Sequence, residues 1–222
     1  MNIAIDGPAG AGKSTVAKML AKELGFIYVD TGAMYRAAAL YFLMNDIDVS
    51  DETAVARACE LTDVSIRFRE NEQQVLLNGD NVNGKIRREE VGNMASAISV
   101  FPVVRQKLTA LQQKLAASED VVMDGRDIGT CVLPNAEVKI YLTASVTARA
   151  KRRYQELLER GESCNLEEIQ KDISDRDYRD MHRDASPLKQ ADDAVFVDSS
   201  ELTLEETAEA VRTVCQEKLS CG

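Results

Sequence analysis

Gly7-Pro8-Ala9-Gly10-Ala11-Gly12-Lys13-Ser14 has the residue types and spacing to cradle a chain of phosphates. It fits G-x-x-x-x-G-K-[ST], in which glycines let successive backbone N–H groups curl toward an anion. Lys13 can reach the β- and γ-phosphates, Ser14 can offer its hydroxyl to Mg²⁺, and Thr15 completes the nucleotide-contacting run. The motif reads as a nucleoside triphosphate site. A second chemical resource is arginine: Arg126, Arg149, Arg152, Arg153, Arg160, Arg176, Arg179 and Arg183 fall in one stretch. Arg176, Arg179, Asp180 and Arg183 recur at i, i+3, i+4 and i+7, one face of a helix, and guanidinium groups grip phosphate bidentately. The same spacing also suits a solvated face paired with Asp172, Asp175, Asp177 and Asp184. Next to a phosphate loop, a mobile arginine-bearing hairpin turned by Gly161 and Asn165 is the better reading. His182 is the lone histidine, with no G-x-S-x-G or H-E-x-x-H motif around it. Phosphoryl transfer needs neither, since it rests on positioning and charge neutralisation.

These residues need a scaffold. Asn2–Asp6 forms a short apolar strand before the loop, and a helix is expected from Ser14 to Leu24 behind it, its positive end toward the anion. Further strands are expected at Phe26–Asp30, Asp120–Asp124, Val138–Leu142 and Ala194–Asp198. Their continuous apolar runs suit a parallel sheet buried on both faces, hence an α/β fold. Asp6, Asp30, Asp124 and Asp198 close four of these strands, where ligands of open sheets gather. Asp6 and Asp198 read as plain cap or turn residues, whereas Asp30 and Asp124 stand between that role and chemistry. A helix follows from Ala33 to Met44. From Ile47 to Gly84 the rhythm breaks: a helix at Glu52–Leu61, strands at Val64–Phe68 and Val75–Leu77, a turn at Asn78–Asn81 and a strand around Val82 suggest an inserted antiparallel lobe. Helices return at Ile86–Ser99 and Val103–Ala116, with Pro102 opening the second.

The 222 residues suit one main domain with an inserted lobe, and no apolar run approaches the roughly 20 residues that cross a bilayer. A net charge of −10 argues against a nucleic-acid-coating surface, and the acidic stretch from Asp192 to Glu209 holds no basic residue. Five scattered cysteines without a C-x-x-C pair point to free thiols in a cytoplasmic protein and away from a zinc site.

Asp30-Thr31-Gly32-Ala33-Met34-Tyr35-Arg36, Asp124-Gly125-Arg126-Asp127-Ile128-Gly129-Thr130 and Arg176-Asp177-Tyr178-Arg179-Asp180, together with the phosphate loop, make the chain resemble the bacterial cytidylate kinases from end to end. The loop is generic. The D-[ST]-G-A-x-Y-R and D-G-R-D-x-G-T segments are far more specific. The resemblance implies the P-loop nucleoside-monophosphate kinase fold over residues 1–222. Its parts would be a five-stranded parallel sheet flanked by helices, an inserted monophosphate-binding lobe at 46–100 and a helical arginine-rich lid at 149–183. It implies transfer of the ATP γ-phosphoryl group to CMP or dCMP with Mg²⁺, by a monomer that binds neither nucleic acid nor membrane. Residues 7–15, Arg149 and Arg153 would then serve ATP. Ser96, Arg105 and Asp127 would face the cytosine, and Arg36 and Arg126 the acceptor phosphate. Thr31 would join the acceptor site, Tyr35, Arg176 and Asp180 would lie around the sugar, and Arg183 would reach the phosphates. Lys13, Arg126, Arg176 and Arg183 form the expected catalytic set. Mg²⁺ would be held by Ser14 and Asp124, the latter through water, with Asp30 sharing the role or orienting the acceptor phosphate. Singly, Tyr35 is equally readable as a core aromatic and Ser96 as a small packing residue. Many relatives carry Gly after the loop lysine; Ser14 restores a metal-binding hydroxyl.

Overall fold

A computed structural model describes residues 1–69 and 72–220, and in it the apolar runs and amphipathic stretches alternate as strands and helices. In chain order they are β1 (Asn2–Asp6), α1 (Lys13–Leu24), β2 (Ile27–Asp30), α2 (Thr31–Met44), α3 (Glu52–Leu61), β3 (Val64–Arg69), β4 (Glu72–Leu77), β5 (Asp80–Asn81), α4 (Glu89–Ile98), α5 (Pro102–Ser118), β6 (Val121–Gly125), β7 (Val138–Thr143), α6 (Val146–Glu159), α7 (Leu166–His182), β8 (Val195–Asp198) and α8 (Leu204–Ser220). A five-residue π-turn, Ile128–Val132, follows β6.

Five strands form a sheet in the order β2-β6-β1-β7-β8. β1 lies between β6 and β7, parallel to both, and β8 extends the sheet in parallel beyond β7. Register sets Asp6 opposite Gly125 and Tyr141, and Ile5 opposite Asp124, so the aspartates closing β1 and β6 share the carboxyl edge. The chain first winds from β1 to one side and later, through β7 and β8, to the other. That reversal is the kind of switch point at which open α/β sheets bind ligands. β1 is buried from Ile3 to Asp6 because both of its faces are covered, and Ile3, Ile5, Val16, Leu20, Val122 and Val211 share one apolar cluster.

The chain divides into two compact units, residues 1–28 with 120–222, and residues 29–119. In the second, α2 packs against α4, and β3, β4 and β5 form an antiparallel sheet. Asn78 (φ 50°) and Gly79 (φ 91°) make the β4–β5 turn, as left-handed central residues of a tight hairpin should. The strand expected around Val82 is confined to Asp80–Asn81; Val82 is buried just beyond it and donates its N–H to the Val75 carbonyl. The helix expected from Ile86 begins at Glu89, because residues 84–88 are spent in turns. Proline at the first helical position starts α5 at Pro102 and costs no hydrogen bond. Among the described residues no helix is long and apolar enough to cross a membrane. Cys59, Cys131, Cys164 and Cys215 are free thiols, and Cys221 lies outside the described residues.

Candidate functional site

The unit built from residues 1–28 and 120–222 holds the phosphate loop. Gly7 has φ +146°, and a Cβ there would fall 1.9 Å from the Leu142 carbonyl oxygen, so only glycine lets the loop leave β1 beside β7. At the far end Gly12 caps α1 in the left-handed conformation with no side-chain hydrogen bond, which leaves the first N–H groups of the helix directed at the loop. Lys13 is buried and donates from Nζ to the Pro8 carbonyl at 2.7 Å, folded back over the cradle. Burial pushes its ammonium down to about 7; the Arg126 cation pushes the same way, and Asp124, Asp6 and Asp180 pull against them. Ser14 donates its hydroxyl to Asp124 Oδ2 at 2.9 Å, and the other oxygen of Asp124 accepts from Tyr28 Oη at 2.9 Å. Tyr28, under the Lys18 ammonium at 5.5 Å, is a site neighbour that sequence reasoning passed over, because a tyrosine in a strand has no local signature of such a bond.

The arginine stretch separates into distinct fates. Arg126 donates from Nε to Asp180 Oδ2 at 2.9 Å and from Nη1 to the Gly125 carbonyl. Burial works to lower its pKa, but Asp180, Asp124 and Asp177 outweigh it and hold the guanidinium more firmly charged than usual. Asp180 is buried as well. Desolvation alone would raise it, yet Arg126, Arg176 and Arg183 keep it below the ordinary carboxylate range. Arg183 ends α7 and lies 3.8 Å from both Asp127 and Asp180, its Nε donating to the Ser186 carbonyl. Asp127 is buried at the head of the π-turn, its carbonyl accepting from the Cys131 and Val132 N–H groups. Asp6 anchors that turn, its two oxygens accepting from the Ile128 and Gly129 N–H groups at 2.8 and 2.7 Å; burial nevertheless raises its carboxyl to about 6. Asp6 therefore has the plain role read for it, as does Asp198, which accepts from Ser200.

Arg149, expected at the nucleotide, is 3 % exposed and donates to Ala144, to Ala9 and to both oxygens of Asp177. Its connection to the loop runs through the Ala9 carbonyl. Arg153 is partly exposed beside Glu156 at 3.4 Å, and Arg152 donates to the Ser199 and Leu202 carbonyls. Arg179 and His182 lie on the exposed side of α7, the His182 ring stacked on Tyr178.

Residues 29–119 hold the other expected site residues. Asp30 caps α2, accepting from the Ala33 N–H at 2.8 Å, and pairs with Arg87 at 3.2 Å. The Gln73 side-chain amide accepts from the Asp30 N–H at 2.7 Å and donates to its carbonyl. A Cβ on Gly32 would fall 3.3 Å from Asp30 Oδ1 and 3.4 Å from Arg36 Nη1, so the residue is small where a carboxylate and a guanidinium converge. Thr31 is buried on the first turn of α2. The partly buried ring of Tyr35 is covered by the Arg105 guanidinium at 5.6 Å, and Arg105, itself buried, donates to the Ser99 carbonyl. Ser99 in turn donates its hydroxyl to the Ser96 carbonyl at 2.8 Å, so Tyr35, Arg105 and Ser96 are brought together by one chain of contacts. Among the described residues no three metal-ligating side chains cluster; at the phosphate loop Ser14 and Asp124 form a hard-oxygen pair.

The sequence model of the cytidylate kinase family matches residues 3–217. A cytidylate kinase of Lactobacillus johnsonii is 47% identical over 98% of this chain and 95% of its own length. One from Streptococcus pneumoniae is 47% identical over 99% of each chain. Among solved structures, a shikimate kinase from Bacteroides thetaiotaomicron aligns over 97% of this chain and 98% of its own at 14% identity, with a TM-score of 0.49.

Proposed function

The chain belongs to the cytidylate kinase family and is a nucleoside-monophosphate kinase, and we propose that it moves the γ-phosphoryl group of ATP in line onto the phosphate of CMP or dCMP. One observation carries the reading: at the glycine cradle before α1, buried Lys13 is folded back onto the Pro8 carbonyl at 2.7 Å, and the Arg126 cation adds to the burial that depresses its ammonium. A polyphosphate entering the cradle relieves that repulsion and draws Lys13 off the Pro8 carbonyl, so binding energy is directed at the oxygens where charge develops. Arg126 after β6, Arg176 on α7 and Arg183 at its end extend the same field. The acceptor phosphate arrives ionised, so the reaction needs no general base.

Asp127 is the proposed reader of cytosine. Its carboxylate accepts from the exocyclic amino group, whereas uracil would set a carbonyl against it, a loss of about 1–3 kcal/mol. In the other unit Ser96 and Arg105 take the base-facing roles, Tyr35 the sugar, Arg36 the acceptor phosphate, and Thr31 joins the acceptor site. Mg²⁺ suits the Ser14–Asp124 pair, hard oxygen donors for an ion that keeps several of its waters. When bound there it would neutralise charge on the β- and γ-oxygens. Asp30 is committed to capping α2 and to Arg87, so the proposal leaves the metal to the first pair. The enzyme is further proposed to work as a monomer in the cytoplasm.

Incubating the purified chain with ATP, Mg²⁺ and CMP, dCMP, UMP, AMP or shikimate tests the reading. ADP should form fastest with CMP and dCMP. Yields with both no higher than in a control without acceptor would refute it.

A further inference from the structure

We propose that Arg149 and Asp177 are a positioning pair that locks α7 to the phosphate loop and so fixes the arginine row for transfer, without either residue touching substrate. The proposal rests on the kinase reading above. The Arg149 guanidinium is buried and makes four donations: Nε to Ala144 at 2.8 Å, Nη1 to Ala9 at 3.1 Å, and a two-pronged grip on Asp177 at 3.0 and 2.5 Å. It thereby joins the phosphate loop, the chain leaving β7 and the middle of α7. Its stem lies against the loop too, since a Cβ on Gly10 would meet Arg149 Cβ at 3.5 Å. Asp177 is buried on the same side of α7 as Asp180, which grips Arg126 at the end of β6. Helix α7 is thus pinned at successive turns, once to the loop and once to the strand, and Arg176 and Arg183 lie at either end of the pinned stretch. A planar five-donor fork can serve three acceptors in fixed directions at once, and a lysine cannot. Two pins remove the rotation of α7 about its own axis that would swing Arg176 and Arg183 out of line, and misplacement by about 1 Å can cost a hundredfold in rate.

The competing possibility is that Arg149 leaves Asp177 for the nucleotide when ATP binds. Steady-state kinetics and thermal unfolding of the full chain separate the two, using Asp177→Asn and Arg149→Lys, with Lys13→Ala as reference. A positioning pair predicts that both variants lose about 10–100-fold in kcat while KM for ATP and for CMP stays within about threefold. Stabilisation by CMP should persist. Wild-type or faster turnover in Asp177→Asn, a rise in ATP KM at unchanged kcat, wild-type turnover in Arg149→Lys, or a lower unfolding temperature with full kcat per folded molecule would each overturn the proposal. Hydrogen exchange on the unsubstituted protein keeps it testable if a variant fails to fold. Amides of residues 176–183 should already be protected without ATP, and strong protection gained only with ATP would overturn it. If Lys13→Ala itself retains turnover, the kinase reading falls instead.

Discussion

The α6–α7 hairpin and the strand end beneath it carry two kinds of arginine that the sequence spaces alike. Arg126, Arg149 and Arg183 lie on the inner side, each within reach of a carboxylate on α7 or at the π-turn. Arg153 and Arg179 lie outward, one beside Glu156 and the other donating to a carbonyl of its own helix. Removing one partner of a buried pair leaves an uncompensated charge and costs several kcal/mol, whereas a surface pair contributes about 0–1 kcal/mol. Burial with a matched carboxylate therefore separates arginines that are held in place from those that are only solvated. Helical periodicity does not. The comparison also accounts for Lys13, a buried cation among the inner set that donates to a carbonyl and has a depressed pKa.

The largest expected effect tests whether the inner set serves transfer. Lys13→Ala should lower kcat by about 10³-fold or more, since it removes charge that stabilises the γ-phosphoryl group as it moves. Circular dichroism should show the fold intact. Turnover near the wild-type level would mean that the crowded cations have some other purpose.

Next in size is Asp127→Asn. An amide can donate to the uracil carbonyl, so the preference for CMP over UMP should narrow by about 10–100-fold, the equivalent of 1–3 kcal/mol. The ratio of kcat/KM for the two acceptors is the measurement. An unchanged ratio would leave Asp127 a partner of Arg183 and nothing more.

A pH effect of about tenfold follows from Lys13. Its folded, ligand-free pKa of about 7 lies below the ordinary 10.5, so above pH 7 the free enzyme loses the charge that ATP requires. The bound polyanion favours the protonated form, and binding at pH 8 should take up a proton. kcat/KM for ATP should fall by up to about tenfold per pH unit above 7. Binding enthalpies at pH 8 in two buffers of different ionisation heat would agree if no proton were taken up, and that agreement would exclude the effect. For stability the sign is separate: between about 7 and 10.5 the unfolded chain binds more protons, so this residue makes folding more favourable as pH rises.

How much of this could be read beforehand divides along the same line. The sheet was legible because strands buried on both faces are continuous apolar runs; β1 matches Asn2–Asp6, and β7 runs only one residue past Leu142. The loop was legible because its glycines, lysine and hydroxyl are local. Residue type alone leaves Asp30 between a helix cap and chemistry, and its bond to Ala33 shows the cap. The partners of Arg149 and Asp124 were not. Asp177 is 28 residues from Arg149, and Tyr28 is 96 residues from Asp124. A chain with Asp172, Asp175, Asp177 and Asp184 near its arginines has several pairings of equal merit until tertiary packing chooses one. Asp175 does lie on a solvated face, but its ion-pair partner is Lys171 at 2.7 Å, and the solvated reading does not apply to the buried Asp177.

Arg153 offers the smallest effect and the finest discrimination. It shares a helix with Arg149, and the family resemblance assigns both to ATP, yet its guanidinium reaches Glu156 across a partly exposed face. Arg153→Ala should leave unfolding stability within about 0.5 kcal/mol, because such a pair is screened by solvent and little is buried with it. If the side chain turns to the nucleotide when ATP is present, KM for ATP should rise about two- to fivefold with kcat and the KM for CMP unchanged, the signature of uniform binding lost. A KM for ATP equal to that of the unsubstituted enzyme would assign Arg153 to the solvated set and leave the phosphates to the arginines proposed for them at the end of β6 and along α7. A loss in kcat would be the more instructive failure, because it would mean that an exposed arginine is drawn into the transfer step and that burial in the ligand-free protein does not mark the residues that act.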